Sequence, residues 1–119
     1  RTKTEIQMDS TRQQKIARQL QRDIAEILQK DLADDIRGSL VTVTTVRVSP
    51  DLAYAKIYIS IFPFERNAQL LDAIREKGWL VRKLLGQRIR NQLKIVPELE
   101  FFLDDSLEYI ENIDNLLSK

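Results

Sequence analysis

The 119-residue sequence contains no cysteine and no histidine. Without Cys there is no disulfide, no thiol nucleophile and no thiolate site for zinc or an iron–sulfur cluster. Without His there is no Ser-His-Asp triad, no imidazole base and none of the common zinc sites. Carboxylate, Lys or Tyr chemistry stays open, as does a Mg²⁺ site. Three Gly and three Pro are too few for a low-complexity chain, and a hydrophobic fraction of 43% is that of a globular protein. No apolar run approaches the roughly 20 residues of a membrane span, and no h-region marks a signal peptide. The expectation is a disulfide-free, cytoplasmic protein with no membrane partner. At this length one domain is expected, burying roughly 65% of the unfolded chain's surface.

Net charge is also nearly missing: 19 Lys and Arg oppose 18 Asp and Glu. The balance conceals blocks. Residues 1–30 carry seven basic and four acidic side chains. Residues 75–94 carry seven basic ones against Glu76 alone. Residues 98–114 carry seven acids and no base. Such polarity fits a nucleic-acid face backed by an acidic rear, or oppositely charged elements that neutralise each other across the fold.

Residues 1–9 lack periodicity and read as a disordered lead before a domain over 10–119. Met8 is the only methionine and reads as the native start, with residues 1–7 an added leader. Thr11-x-x-Gln14 has capping-box spacing. Ile16, Leu20, Ile24, Ile27 and Leu28 then form the apolar seam of a helix ending near Lys30, with Arg12, Lys15, Arg18 and Arg22 on its opposite face. Leu40 to Val48 reads as a strand whose apolar phase shifts at Thr44-Thr45, the mark of a bulge. Ser49-Pro50-Asp51 is a turn. Residues 53–62 alternate strictly and read as a second strand; its short connection to the first makes the pair an antiparallel hairpin.

Pro63 ends that strand, and a short helix follows from Asn67 to about Lys77. Gly78 interrupts it, and a second helical pattern runs from Trp79 to about Leu93. Pro97 and the alternation of Leu99, Phe101 and Leu103 mark a third strand. Asp105 or Ser106 caps a last helix bearing Leu107, Ile110, Ile113 and Leu117. The result is a single two-layer α+β domain. Its order is α-β-β-α-kink-α-β, that of the type II KH fold, with an added C-terminal helix. KH modules grip single-stranded nucleic acid at a loop between two helices, and here that joint is the most basic part of the chain.

Trp79, Lys83, Gln87, Arg90 and Lys94 fall on one helical stripe, where Lys and Arg can follow phosphates and Trp can stack on a base. The alternative is a solvated helix face with Trp79 folded into the core. Gly78 has no second glycine three residues away, so the GxxG loop of ordinary KH domains is absent; a plain helix C-cap is the other reading of this glycine. Tyr54 and Tyr58 share a strand face with Lys56, where they either stack bases or cover the sheet. The tight carboxylate cluster Asp104, Asp105 and Glu108 suits a helix N-terminus better than a metal, since Mg²⁺ usually needs substrate phosphates that this acidic segment would repel.

Three stretches resemble the ribosome-binding factor A family of bacterial small-subunit assembly factors. Residues 11–30, TRQQKIARQLQRDIAEILQK, resemble its first helix. Residues 49–61, SPDLAYAKIYISI, resemble its turn and second strand. Residues 82–106, RKLLGQRIRNQLKIVPELEFFLDDS, resemble its third helix, Pro-Glu-Leu-x-Phe strand and Asp-x-Ser. The family replaces GxxG with an Ala-x-Gly kink. With Gly78 as the kink glycine, Glu76 stands at the alanine position. Anchoring on Leu84-Leu85-Gly86 instead places Trp79 and Lys77 at the glycine and alanine positions. The long basic C-terminal tail of some members is not expected here.

The resemblance implies a non-enzymatic factor linked to growth at low temperature; a monomer without a cofactor is expected. It implies binding to the free small ribosomal subunit and help in maturing small-subunit rRNA, including its 5′ end. The expected RNA-binding residues are Arg12, Lys15, Arg18 and Arg22 on the first helix, with Lys77, Arg82, Lys83, Arg90 and Lys94 around and beyond the joint. Gly78 is the expected inter-helix kink; neither a metal nor a small-molecule substrate is expected. The competing readings are a KH-like protein-interaction or general RNA-binding module, and a nuclease acting on the rRNA end.

Overall fold

The computed structural model describes residues 11–104. Helix α1 spans Thr11–Asp31. Strands β1 and β2 span Leu40–Val48 and Tyr54–Phe62. A 3₁₀ turn over Phe64–Arg66 leads into α2, Asn67–Glu76. Helix α3 spans Gly78–Ile89, and β3 spans Glu98–Leu103. This is the α-β-β-α-α-β order of a type II KH domain. The helix expected over 107–117 and its caps at Asp105 or Ser106 lie outside the described residues.

The apolar seam of α1 packs as its spacing requires: Leu20, Ile24, Ile27 and Leu28 are buried. In β2 the strict alternation places Ala55, Ile57, Ile59 and Ile61 against the helices. β1 pairs antiparallel with β2, and the register shifts between Val43 and Thr45. That bulge lets Val41, Val43, Val46 and Val48 all be buried despite the phase change in their spacing. The turn between the strands closes on Asp51, whose carboxylate accepts from the Ser49 hydroxyl and the Ala53 amide.

Strand β3 pairs parallel with β2, from Tyr54↔Glu98 to Ile59↔Leu103, giving a sheet in the order β1-β2-β3. A parallel return needs a crossover, and α2 with α3 supplies it. Helix α1 packs on β1 and on α3, while α2 packs on β2 and β3. Leu70, Leu71 and Ile74 of α2, and Val81, Leu85 and Ile89 of α3, complete the core with Phe101.

Two element details differ from the sequence reading. Helix α3 stops at Ile89, four residues short of the expected Leu93. Gln92 and Leu93 both donate backbone N–H bonds to the Ile89 carbonyl, closing a turn that keeps Leu93 buried. Leu93 thus retains the helical period while the chain has already turned away. The interruption between α2 and α3 is a single non-helical residue, Lys77, with φ −96° and ψ 11°. Gly78 is the first residue of α3, and among the described glycines only Gly38 has a positive φ.

Candidate nucleic-acid interface

Basic side chains leave the fold in two ways. Some serve its interior. Arg88 of α3 bridges to Glu26 at 2.6 Å and to Asp23 at 3.3 Å, both on α1. This contact holds the Glu26 carboxyl below its usual range and raises the Arg88 guanidinium. Arg75 donates to the Phe101 carbonyl at 2.8 and 3.2 Å. Arg82 forks onto the Val96 and Pro97 carbonyls at 2.7 and 3.0 Å, with the Glu98 carboxylate 3.8 Å away. Lys77 lies 3.6 Å from Asp35. Of the nine cations expected to bind RNA, Arg82 and Lys77 are therefore engaged within the protein.

The other seven, Arg12, Lys15, Arg18, Arg22, Lys83, Arg90 and Lys94, are exposed; none makes an ion pair among the described residues, and only Arg22 feels an acid, Glu26 one turn along α1. The tertiary structure sorts most of them into grooves. Arg12 at the start of α1 meets Arg90 and Lys94 of the α3–β3 connection in a cleft of about 420 Å³ that also touches the β1–β2 turn. Arg18 and Arg22 line a groove of about 440 Å³ between α1 and the β1 backbone. Lys83 and Arg82 flank a third hollow of about 320 Å³ with Trp79, Gly86 and Val96. Lys15 is exposed and borders none of these. Because α3 ends at Ile89 and the chain turns at Gln92 and Leu93, Lys94 does not continue the stripe of Trp79 and Lys83, whereas Arg90, the C-cap, keeps helical φ and ψ.

Each groove also presents one exposed apolar side chain. Ile95 stands in the first, Leu40 in the second and Trp79 in the third, at 70%, 64% and 65% exposure. Trp79 is thus on the surface and not in the core. Cations beside an unburied apolar or aromatic group suit a nucleic acid, whose phosphates take the charge and whose bases take the apolar face.

Helix α1 does more than carry charge. The Gln21 amide donates to the Val43 carbonyl at 2.9 Å, and the buried Gln13 amide donates to the Val48 carbonyl at 2.8 Å. Both carbonyls belong to the edge strand β1, so the helix satisfies an edge that could otherwise pair with another chain. Nothing in the sequence pattern marks these two glutamines.

On the outer sheet face Tyr58 stacks on Phe102 with ring centroids 5.4 Å apart, and the Lys56 ammonium sits 5.9 Å from the Phe102 centroid. Asp104 of the carboxylate cluster accepts from the Thr44 hydroxyl at 2.6 Å, at the bulge; Asp105 and Glu108 lie outside the described residues. Among the described residues no three acidic side chains are grouped to hold a metal ion, and no helix is long and apolar enough to cross a membrane.

Comparison with known proteins bears on this surface. A family model described as ribosome-binding factor A matches residues 12–117. Ribosome-binding factor A of Cytophaga hutchinsonii is 42% identical over 112 residues, 94% of this chain and 84% of the relative. That of Flavobacterium psychrophilum is 41% identical, over 93% of this chain and 86% of the relative. Among structures, the crystal structure of ribosome-binding factor A from Thermus thermophilus superposes with a TM-score of 0.65 at 26% identity, over 76% of this chain and 94% of that one. A Thermus thermophilus ribosome binding factor A homology model, fitted into a cryo-EM map of a 30S complex, gives a TM-score of 0.60 at 30% identity, over 74% of this chain and 90% of that one.

Proposed function

The chain belongs to the ribosome-binding factor A family, and from that premise we propose that it binds the free small ribosomal subunit through its rRNA. Arg12, Lys15, Arg18, Arg22, Lys83, Arg90 and Lys94 make the phosphate contacts. Such contacts fix position and register without reading sequence. Lys77 and Arg82 contribute only the donors left over from their contacts within the protein. Gly78 and the Lys77 joint set the angle at which Trp79 and Lys83 meet the RNA. The protein acts as a monomeric, non-enzymatic cytoplasmic factor that assists maturation of small-subunit rRNA, including its 5′ end.

The observation that carries this reading is the match over residues 12–117 to a family of which one member has been fitted on the 30S subunit. The exposed cations in their grooves support it. Cosedimentation of the pure protein with isolated small subunits, large subunits and joined ribosomes tests it. Preference for free small subunits is expected, and equal binding to all three refutes it. Specific cleavage of precursor rRNA by the pure protein with Mg²⁺ would overturn the non-enzymatic part.

A further inference from the structure

The cleft where Arg12, Arg90 and Lys94 meet differs from the other two grooves in having an acid in its lining. Its volume, about 420 Å³, lies in the range of roughly 300–1,000 Å³ usual for small-ligand clefts. Its three cations come from segments almost eighty residues apart and have no acidic partner among the described residues. Asp51 lines the same cleft. One of its oxygens, Oδ1, accepts from the Ser49 hydroxyl at 2.7 Å and from the Ala53 amide at 3.1 Å, which leaves Oδ2 available. Those two bonds hold its carboxyl below the usual range, so it is anionic at neutral pH. Ile95 stands in the same cleft with 70% of its surface exposed, and Asn91 adds an amide that can both donate and accept.

A ligand that fits carries a negative group for the three cations, a hydrogen-bond donor for Asp51 and an apolar face for Ile95. The carboxylate of Asp51 is acceptor-only and repels phosphate, so it takes a donor group of the ligand. Paired bases in a duplex are stacked and cannot enter a cleft; an unpaired base can be splayed into one. The 2′-hydroxyl is the donor that RNA has and DNA lacks.

We propose that this cleft holds one unstacked RNA nucleotide, its phosphate on Arg12, Arg90 and Lys94, its ribose hydroxyls toward Asp51 and its base against Ile95. The assignment rests on the rRNA-binding reading and specifies it: this end of the domain takes single-stranded RNA. The site lies at the β1–β2 turn and the α3–β3 connection, away from the α2–α3 joint.

The test is fluorescence anisotropy with a labelled single-stranded RNA octamer, the DNA octamer of the same sequence and the duplex RNA, with methyl NMR of Ile95 alongside. The single-stranded RNA binds several-fold tighter than the other two, and the Ile95 methyl resonances shift on its addition. Arg90→Ala with Lys94→Ala weakens binding and makes the log–log salt slope shallower by at most about 0.7, the one phosphate of this nucleotide on the single-strand scale. Ile95→Ala weakens binding several-fold with the salt slope unchanged. These side chains are exposed, so the variants keep the parent's thermal midpoint. Equal affinity for single strand and duplex, or an unshifted Ile95 methyl, overturns the assignment. Equal affinity for the RNA and DNA octamers removes the ribose contact and overturns it as well. A protein that cosediments with small subunits yet fails here refutes the cleft and leaves the rRNA reading standing.

Discussion

The Arg88 guanidinium of α3 lies 3.3 Å from the Asp23 carboxylate of α1. Asp23 is one of three buried polar side chains among the described residues, at 7% exposure, and also accepts from Gln19 at 2.8 Å. Arg88 therefore binds two helices across the core rim and is lost to any RNA face, although it sits in the most basic stretch of the sequence. Removing it leaves Asp23 with one fewer partner in a poorly solvated place. Since Arg88 keeps 30% of its side chain exposed, the cost falls below that of a fully buried pair. Arg88→Ala should lower stability by about 1–2 kcal/mol, read by urea unfolding, with small-subunit affinity unchanged.

The same bridge predicts a pH dependence. The hydrogen bond from Arg88 lowers the Glu26 carboxyl in the folded state. A group whose folded pKa lies below its unfolded value stabilises the fold above the unfolded value, about 4.3 for glutamate. That contribution disappears as pH falls through the folded value. Wild type should therefore exceed Glu26→Gln in stability at pH 7, and the gap should close on acidification below about pH 4.3. Urea midpoints at neutral and acidic pH measure it; a gap that persists at the acid end refutes the charged contact.

Two glycines at the α3 helix give opposite expectations. A Cβ on Gly86 would sit 2.9 Å from Val96 Cγ2, inside normal carbon contact. Val96 has little room to retreat, because Arg82 binds its carbonyl and that of Pro97. A Cβ on Gly78 meets only Phe101 Cε2 at 3.8 Å, an ordinary contact, at a residue without positive φ. Gly86→Ala should destabilise by about 1 kcal/mol, overpacking outweighing helix propensity. Gly78→Ala should be neutral or stabilising by a few tenths of a kcal/mol. Thermal midpoints of the two variants decide this.

The edge-strand contact of Gln13 gives a fourth stability prediction. Gln13→Leu keeps the volume and removes the donor to the Val48 carbonyl. The loss should be about 1–2 kcal/mol, the cost of stranding a buried acceptor. Urea denaturation measures it, and an unchanged midpoint would show that solvent reaches that carbonyl.

For the interface, Lys83→Glu with Arg90→Glu reverses two exposed cations that belong to different grooves. Cosedimentation with small subunits should weaken and circular dichroism should stay unchanged. The salt dependence should become shallower by about 0.7–0.9 for each phosphate that is no longer neutralised. Unchanged affinity at moderate salt would remove both positions from the binding face.

Local structure was legible in the sequence, because local structure answers to periodicity. The seam from Leu20 to Leu28 made α1. The alternation from Ala55 to Ile61 made β2. The lost phase at Thr44-Thr45 announced the bulge. The same periodicity misjudged the end of α3, since Leu93 keeps the helical phase from within a turn. Charge was legible as blocks but not as assignments. That Arg82 and Arg88 serve the fold while Lys83 and Arg90 face solvent emerges only in three dimensions, because the partners at Val96, Pro97, Asp23 and Glu26 are distant in sequence. Packing likewise brought Arg12 to Arg90, Lys94 and Ile95, a meeting that depends on α1 crossing α3 and on the chain turning early at Ile89. A window of sequence records which faces are apolar; which cations meet depends on how those faces pack.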